Sequence, residues 1–101
     1  MFFRAYEDKG FQIGFANGFE ISVMFGKSNY CNRRANSESI ATSAEIAVFR
    51  GEKTVYADGE TPYQGGWLNP NQVAKCVEIV SNLPKSAQDN AAEIALNAYL
   101  D

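Results

Sequence analysis

The segment FANGFEISVMFGKSNYCNRR, residues 15 to 34, contains a turn, a one-sided strand and a cationic loop in direct succession. Asn17-Gly18 is a pair that tolerates the positive φ of a two-residue type I′ hairpin turn. After this pair, large apolar residues occupy every second position, namely Phe19, Ile21, Val23 and Phe25. Alternation places all four on one face of a β-strand, and that face must be buried.

Shorter apolar runs before and after this segment indicate further strands. Phe2 to Glu7 and Phe11 to Phe15 flank Asp8-Lys9-Gly10, where the glycine suits the left-handed position of a three-residue hairpin. Residues 43–50 alternate with Ala44, Ile46 and Val48 on one side, and a turn at Gly51-Glu52 leads into residues 53–57. The chain therefore predicts an antiparallel meander of about five strands.

The C-terminal third predicts two helices. Asn69, Pro70 and Gln72 form a helix start with a capping box, and helical spacing then gives a core-facing stripe of Val73, Cys76, Val77 and Val80. Ser86 and Asp89 suggest a second capping box, before a helix whose thin stripe comprises Ala91, Ile94, Ala95 and Ala98. We expect the first helix to pack on one sheet face and the second to be peripheral or to form a homo-oligomer contact.

These elements predict a single α+β domain over residues 1–101, with the sheet in residues 1–67 and the helical part in residues 69–101. At 101 residues and 46% hydrophobic composition, the chain can form one core. The connector at residues 61–67 is rich in Gly and Pro, and we expect it to bring Tyr63 and Trp67 onto that core. An aromatic binding platform at these two residues is the alternative.

Composition narrows the function classes. The net charge of −3 argues against bulk nucleic-acid binding, and the absence of histidine removes the commonest general base and metal ligand. We therefore predict no enzyme activity, cofactor or metal site. No apolar run is long enough for a membrane span, and the N-terminus lacks a signal-peptide pattern, so we expect a cytoplasmic protein without membrane contact.

The candidate site is the polar loop after the main strand. Arginine forks and an aromatic face suit a phosphate or a planar anion, and a long irregular connection is often functional. The predicted ligand- or partner-binding residues are Lys27, Asn29, Tyr30, Asn32, Arg33 and Arg34. An ordinary solvated loop is the alternative. Gly26-Lys27-Ser28 lacks the spacing of a P-loop, and Cys31 has no histidine to activate it as a nucleophile.

Three segments, FANGFEISVMFGKSNYC, AEIAVFR and GGWLNPNQV, together resemble a group of small accessory proteins of tailed phages that share an F-x-N-G strand and a G-x-x-N-Y-C turn. The resemblance spans roughly residues 11–80. It implies action in a host bacterial cytoplasm, so we expect a non-catalytic binding protein that counters host defence by inhibiting a host protein or sequestering a phosphorylated nucleotide signal. The alternatives are a small carboxylate- or metal-dependent hydrolase or nuclease, and a virion assembly component.

Overall fold

A computed structural model describes residues 1–7, 9–26, 29–32, 40–57, 59 and 61–101. Its α+β fold contains an antiparallel meander in the order β1-β2-β3-β4-β5, as the sequence predicts. The strands are β1 (Phe2–Tyr6), β2 (Gly10–Gly14), β3 (Phe19–Met24), β4 (Glu45–Arg50) and β5 (Lys53–Tyr56). Two helices, α1 (Pro70–Ser81) and α2 (Ala91–Leu100), pack on the sheet, and a short 3₁₀ turn (Pro62–Gln64) precedes them.

The inner face of the sheet forms the core together with the helices. Most residues predicted to point inward from β3 and β4 are almost fully buried. Phe25, the fourth residue predicted for this face, follows the end of β3 and is only partly buried. Alternation within each strand and the in-register pairing of β3 with β4 place the buried residues on one face. The buried set from these two strands is Phe19, Ile21, Val23, Ile46 and Val48.

The turn between β2 and β3 differs from the predicted type I′ turn. The N–H of Phe15 donates to the carbonyl of Phe19 at 2.9 Å, so the loop contains three residues, 16–18. Within it, Gly18 has a φ of 89° whereas Asn17 does not have a positive φ. The Asn17 side chain is instead buried and donates to the carbonyls of Val80 and Leu83 at 2.9 and 2.8 Å. This residue therefore ties the hairpin to the end of α1.

The first hairpin also differs by one residue. Tyr6 pairs with Gly10, so the glycine lies inside β2 and not in the loop. A Cβ atom at Gly10 would lie 2.0 Å from the carbonyl oxygen of Val23. Glycine is therefore required here by the close approach of the neighbouring strand.

The prediction that Tyr63 and Trp67 reach the core is wrong. Their side chains are 56% and 41% exposed, respectively, whereas the next residue, Leu68, is fully buried. Trp67 has a φ of 55°, which turns the chain so that Leu68 points inward. Leu68 is held there by two backbone hydrogen bonds with Ala44, at 2.8 and 2.9 Å.

The start of α1 matches the sequence prediction. The Asn69 side chain accepts from the N–H of Gln72 at 2.8 Å, and the Gln72 side chain accepts from the N–H of Asn69 at 2.9 Å. Pro70 occupies the first turn. Of the predicted core-facing stripe, Cys76 and Val80 are fully buried against the sheet, and Val73 and Val77 are partly buried.

The second helix lies beside β5 and α1, a peripheral position as predicted, but a different stripe is buried. Ala92 and Leu96 are fully enclosed, whereas Ile94 is 62% exposed. The predicted capping box is wrong, because α2 starts after Asn90 without a side-chain cap. The Asp89 carboxylate instead pairs with cations of the sheet.

Those cations belong to one end of β4 and β5. The Arg50 guanidinium lies 4.4 Å from the centre of the Phe19 ring and donates to the carbonyls of Lys85 and Ala87. Asp89 accepts from Arg50 at 3.3 Å and from Lys53 at 3.2 Å. The hydrogen bond from Lys53 is the main cause that lowers the pKa of Asp89. This cluster fastens the segment between the helices to the sheet.

The outer face of the sheet carries a hydrogen-bonded side-chain network. Gln12 is only 4% exposed although no helix covers this face among the described residues. Its Oε1 accepts from Tyr6 at 2.8 Å and from Arg4 at 3.2 Å, and its Nε2 donates to Glu20 at 3.0 Å. The neighbouring side chains therefore satisfy and cover this amide.

Candidate functional site

A groove of about 540 Å³ runs between β2 and α1. Its floor is the inner face of β2 and β3, its wall is one side of α1, and residues 41–44 also line it. The main apolar side chains that line it are Phe11, Ile13, Val23, Phe25, Val73 and Val77.

The groove exists because α1 packs on the middle of the sheet. Cys76 and Val80 face the sheet and are fully buried, whereas Val73 and Val77 flank this contact and are only partly buried. On the sheet side, Phe11 remains 36% exposed. The apolar stripe of the helix and the apolar face of the sheet are thus both wider than their mutual contact.

The groove can bury apolar groups and offers little to orient a polar ligand. Among the described residues that line it, the polar side chains are Thr42 and Ser43. The Ser43 hydroxyl already accepts from the N–H of Asn32 at 2.8 Å. Sites for polar small molecules generally contain several convergent polar groups, so the lining favours an apolar occupant.

The predicted loop site adjoins this groove, and two of its residues fasten the loop. Asn29 accepts from the N–H of Gly26 at 3.1 Å and donates to Glu45 at 2.6 Å. Asn32 accepts from the N–H groups of Thr42 and Ser43 at 2.8 and 3.1 Å. Both side chains therefore stabilise the ends of the connection between β3 and β4. Their predicted contact with a ligand stays a prediction.

The cationic members of the predicted site lie outside the described residues. They are Lys27, Arg33 and Arg34, so their role in binding a phosphate stays a prediction.

Two of the aromatic candidates, Tyr30 and Trp67, meet through a backbone hydrogen bond. The carbonyl of Tyr30 accepts from the N–H of Trp67 at 2.9 Å, so the loop and the connector meet at this point. A Cβ atom at Gly59 would lie 2.6 Å from Cδ2 of Tyr30, which shows that the tyrosine ring packs on this glycine. Tyr63 and Trp67 present exposed ring surface, and the aromatic platform stays a prediction.

The hydrolase alternative would need a reactive thiol or a pair of carboxylates, for which Cys31, Glu20 and Glu45 are the residues to consider. Cys31 is fully buried, with Sγ 3.6 Å from the carbonyl oxygen of Gly26. Glu20 lies opposite Phe49 and Glu45 lies opposite Met24 in the strand register. The two carboxylates accept from different amides, those of Gln12 and Asn29, so they occupy separate environments on the sheet.

The two groups with a raised pKa, Cys76 and Tyr56, do not line the groove. Burial raises the pKa of Cys76 to about 11 and is the main cause that raises the pKa of Tyr56 to about 12. Across the part of the chain that the structure describes, no group of three Asp, Glu or Cys residues is placed to hold a metal ion. None of the helices described is long and apolar enough to cross a membrane.

The groove was not predicted from the sequence, because alternation and helical periodicity tell which face is apolar but not how far two faces overlap. One general signal was present: five strands with apolar inner faces form a wider surface than a single 12-residue helix covers, so part of that surface stays uncovered. Comparison with known proteins found no matching family model, no matching curated protein and no matching solved structure.

Proposed function

We propose that this protein is a non-catalytic binding protein whose groove between β2 and α1 takes an apolar segment of a partner polypeptide. The observation that supports the proposal is the run of partly exposed apolar side chains along the floor and wall of the groove. Burial of this apolar surface favours a complex, and the entropy lost on association offsets part of the gain.

A polypeptide fits this lining better than a small polar metabolite does. The apolar side chains of a bound segment can enter the groove while its polar backbone remains near solvent at the open side. A small anion would find no charged side chain among the described residues that line the groove. The hydrophobic effect therefore supplies the affinity, and the shape of the groove supplies the selectivity.

The proposed partner class is a host bacterial protein. Its support is the resemblance of the chain to small accessory proteins of tailed phages, by analogy with other phage proteins of this size, which often act on host machinery. Inhibition of a defence protein in the cytoplasm is the form we propose. Sequestration of a phosphorylated nucleotide by Lys27, Arg33 and Arg34 is a second form of the same binding role, and it rests on the charge of these residues alone.

Selection of peptides on the groove tests the proposal. A random peptide library displayed on filamentous phage is selected on the wild-type protein and then probed against Ala74→Glu, which places a carboxylate in the groove wall. Asn71→Glu adds the same charge to an exposed position of α1 that does not line the groove. We expect apolar peptides that lose at least tenfold in affinity on Ala74→Glu and keep it on Asn71→Glu.

Two outcomes would contradict the proposal. The first is a selection that yields no peptide, or only peptides that bind both variants equally well. The second is turnover of nucleotides or nucleic acids with Mg²⁺ by the wild-type protein that is lost in Glu20→Gln or Glu45→Gln, which would establish the enzymatic alternative. Thermal denaturation of each variant confirms that it remains folded.

A further inference from the structure

The end strand β1 has geometry suited to pairing with another strand. It stands at one edge of the sheet, and its five-residue register with β2 contains no shift. The opposite edge strand, β5, has only four residues, contains a register shift and is flanked by α2. Straight exposed edges associate readily, and short or irregular edges do so poorly.

The backbone groups of β1 that face outward can be identified. Lys9 and Phe15 bond to β3, as shown by the bonds from the N–H of Phe25 to Lys9 and from the N–H of Phe15 to Phe19. Antiparallel alternation then directs the backbone N–H and carbonyl groups of Gly10, Gln12 and Gly14 toward β1. The same alternation leaves the N–H and carbonyl groups of Phe3 and Ala5 on the outer edge of the sheet.

Apolar surface accompanies this edge. Phe3 belongs to the inner face, where it pairs with Ile13, and it is nevertheless 84% exposed. Ala5 is also exposed. The strand has neither a proline nor an inward-pointing charge, which are the usual devices that protect a sheet edge.

We propose that β1 pairs antiparallel with β1 of a second copy of this chain, with Phe3 opposite Phe3 on a two-fold axis. This arrangement goes beyond the proposed function, since the groove is not part of the contact. The two-fold axis is perpendicular to the sheet, so the pairing joins two meanders into one ten-stranded sheet. The helices of both copies then lie on the same face. Both grooves then remain open.

Charge disfavours the neighbouring symmetric register, whose two-fold axis passes through Arg4, and the cross-linking experiment below separates the Phe3 register from the Ala5 register. If the two-fold axis passed through Arg4 instead of Phe3, Arg4 would lie directly opposite Arg4 of the other copy. Like charges in opposed positions are destabilising. With Phe3 on the axis, Arg4 lies opposite Phe2 of the other copy. Arg4 already lies 5.1 Å from the centre of the Phe2 ring within one chain, so the same cation–π contact forms across the dimer.

The area of this contact predicts a reversible dimer. A phenylalanine side chain buries roughly 150–250 Å², and two copies of Phe3 together with two strand edges reach on the order of 1,000 Å², the lower end for specific interfaces. We therefore expect the dimer to dissociate on dilution.

Sedimentation velocity over a range of concentrations tests the dimer. Phe3→Lys and Ala5→Pro should each weaken dimerisation at least tenfold, because the first places like charges on the axis and the second removes an edge donor. Ile94→Lys, on the exposed side of α2, should leave the dimer unchanged. Because Phe3 and Ala5 are exposed, we expect all variants to keep the wild-type melting temperature.

Oxidative trapping tests the register. Opposed residues of a hydrogen-bonded pair lie about 5.5 Å apart at Cα, a distance that a disulfide spans, so Phe3→Cys should form cross-linked dimers and Ala5→Cys should not. The native Cys31 and Cys76 are buried and do not compete.

Three results would overturn the inference. These are a wild-type chain that stays monomeric at every concentration, a dimer lost in Ile94→Lys but not in Phe3→Lys, and trapping that is strongest for Arg4→Cys. The peptide selection at Ala74 is independent of all of them, so a failure of the dimer and a failure of the proposed function are distinguishable.

Discussion

The part of the sheet formed by β3 and β4 and the part formed by β1 and β2 both carry apolar residues on the inner face, but their surroundings differ. Phe19 in β3 is fully buried, whereas Phe3 in β1 is almost fully exposed, although both side chains belong to the inner face. Phe11 in β2 is intermediate and lines the groove. The covered part provides the core, and the open part provides both proposed binding surfaces.

This difference shows that alternation assigns a face and not a degree of burial. The helices pack on β3 and on β5, and they do not extend over β1. An apolar residue on the same face therefore stabilises the fold in one part and is available for binding in the other.

The largest expected effect separates two phenylalanines on this face. Phe19→Ala should lower the free energy of unfolding by about 3–5 kcal/mol, because it leaves a cavity in the core. Phe3→Ala should change it by less than about 0.5 kcal/mol. Urea denaturation at low protein concentration measures both values. Similar losses for the two variants would contradict the contrast between the two parts.

A smaller loss is expected where the β2–β3 hairpin is tied to the end of α1. Asn17→Ala removes hydrogen bonds to Val80, Leu83 and Phe19, and buried groups left without partners cost about 1–3 kcal/mol. We expect a loss of about 2 kcal/mol by urea denaturation. The control is Asn82→Ala, whose exposed amide bonds only within its own helix end, and a loss there as large as for Asn17 would argue against a specific tie.

The smallest effect is confined to alkaline pH and to the covered part. The pKa of the buried Cys76 thiol is about 11 in the folded chain against an ordinary 9.0, so its contribution to stability is complete below pH 9 and is lost as the pH rises toward 11. Between these values the free energy of unfolding should fall by on the order of 1–2 kcal/mol. Cys76→Ala should show a shallower fall, and equal slopes would contradict the assignment.

Much of the fold could be predicted because its signals are local. The inward set of β3 follows from the period of two, and the start of α1 follows from Asn69, Pro70 and Gln72. The details that failed depend on distant partners. Asn17 bonds to the end of α1 rather than forming a type I′ turn, and Asp89 pairs with Arg50 rather than capping α2.

The candidate site was predicted less well. The sequence predicted a site in the polar loop. Within it, Asn29 and Asn32 make hydrogen bonds that stabilise the loop itself. The cationic residues of the predicted site lie outside the described residues. The groove beside the loop gave no local signal. Its walls come from segments about sixty residues apart, such as Phe11 and Val73, so periodicity in either segment cannot reveal the gap between them.

The sequence by itself determined the strand order, the inner face of each strand and the start of the first helix, since these depend on neighbours a few residues away. Only the tertiary structure decided that Leu68 and not Trp67 enters the core, that Leu96 and not Ile94 is enclosed, and that Phe11 borders a groove. The physical reason is that burial depends on which surfaces meet when the helices pack, and two helices are too few to cover five strands.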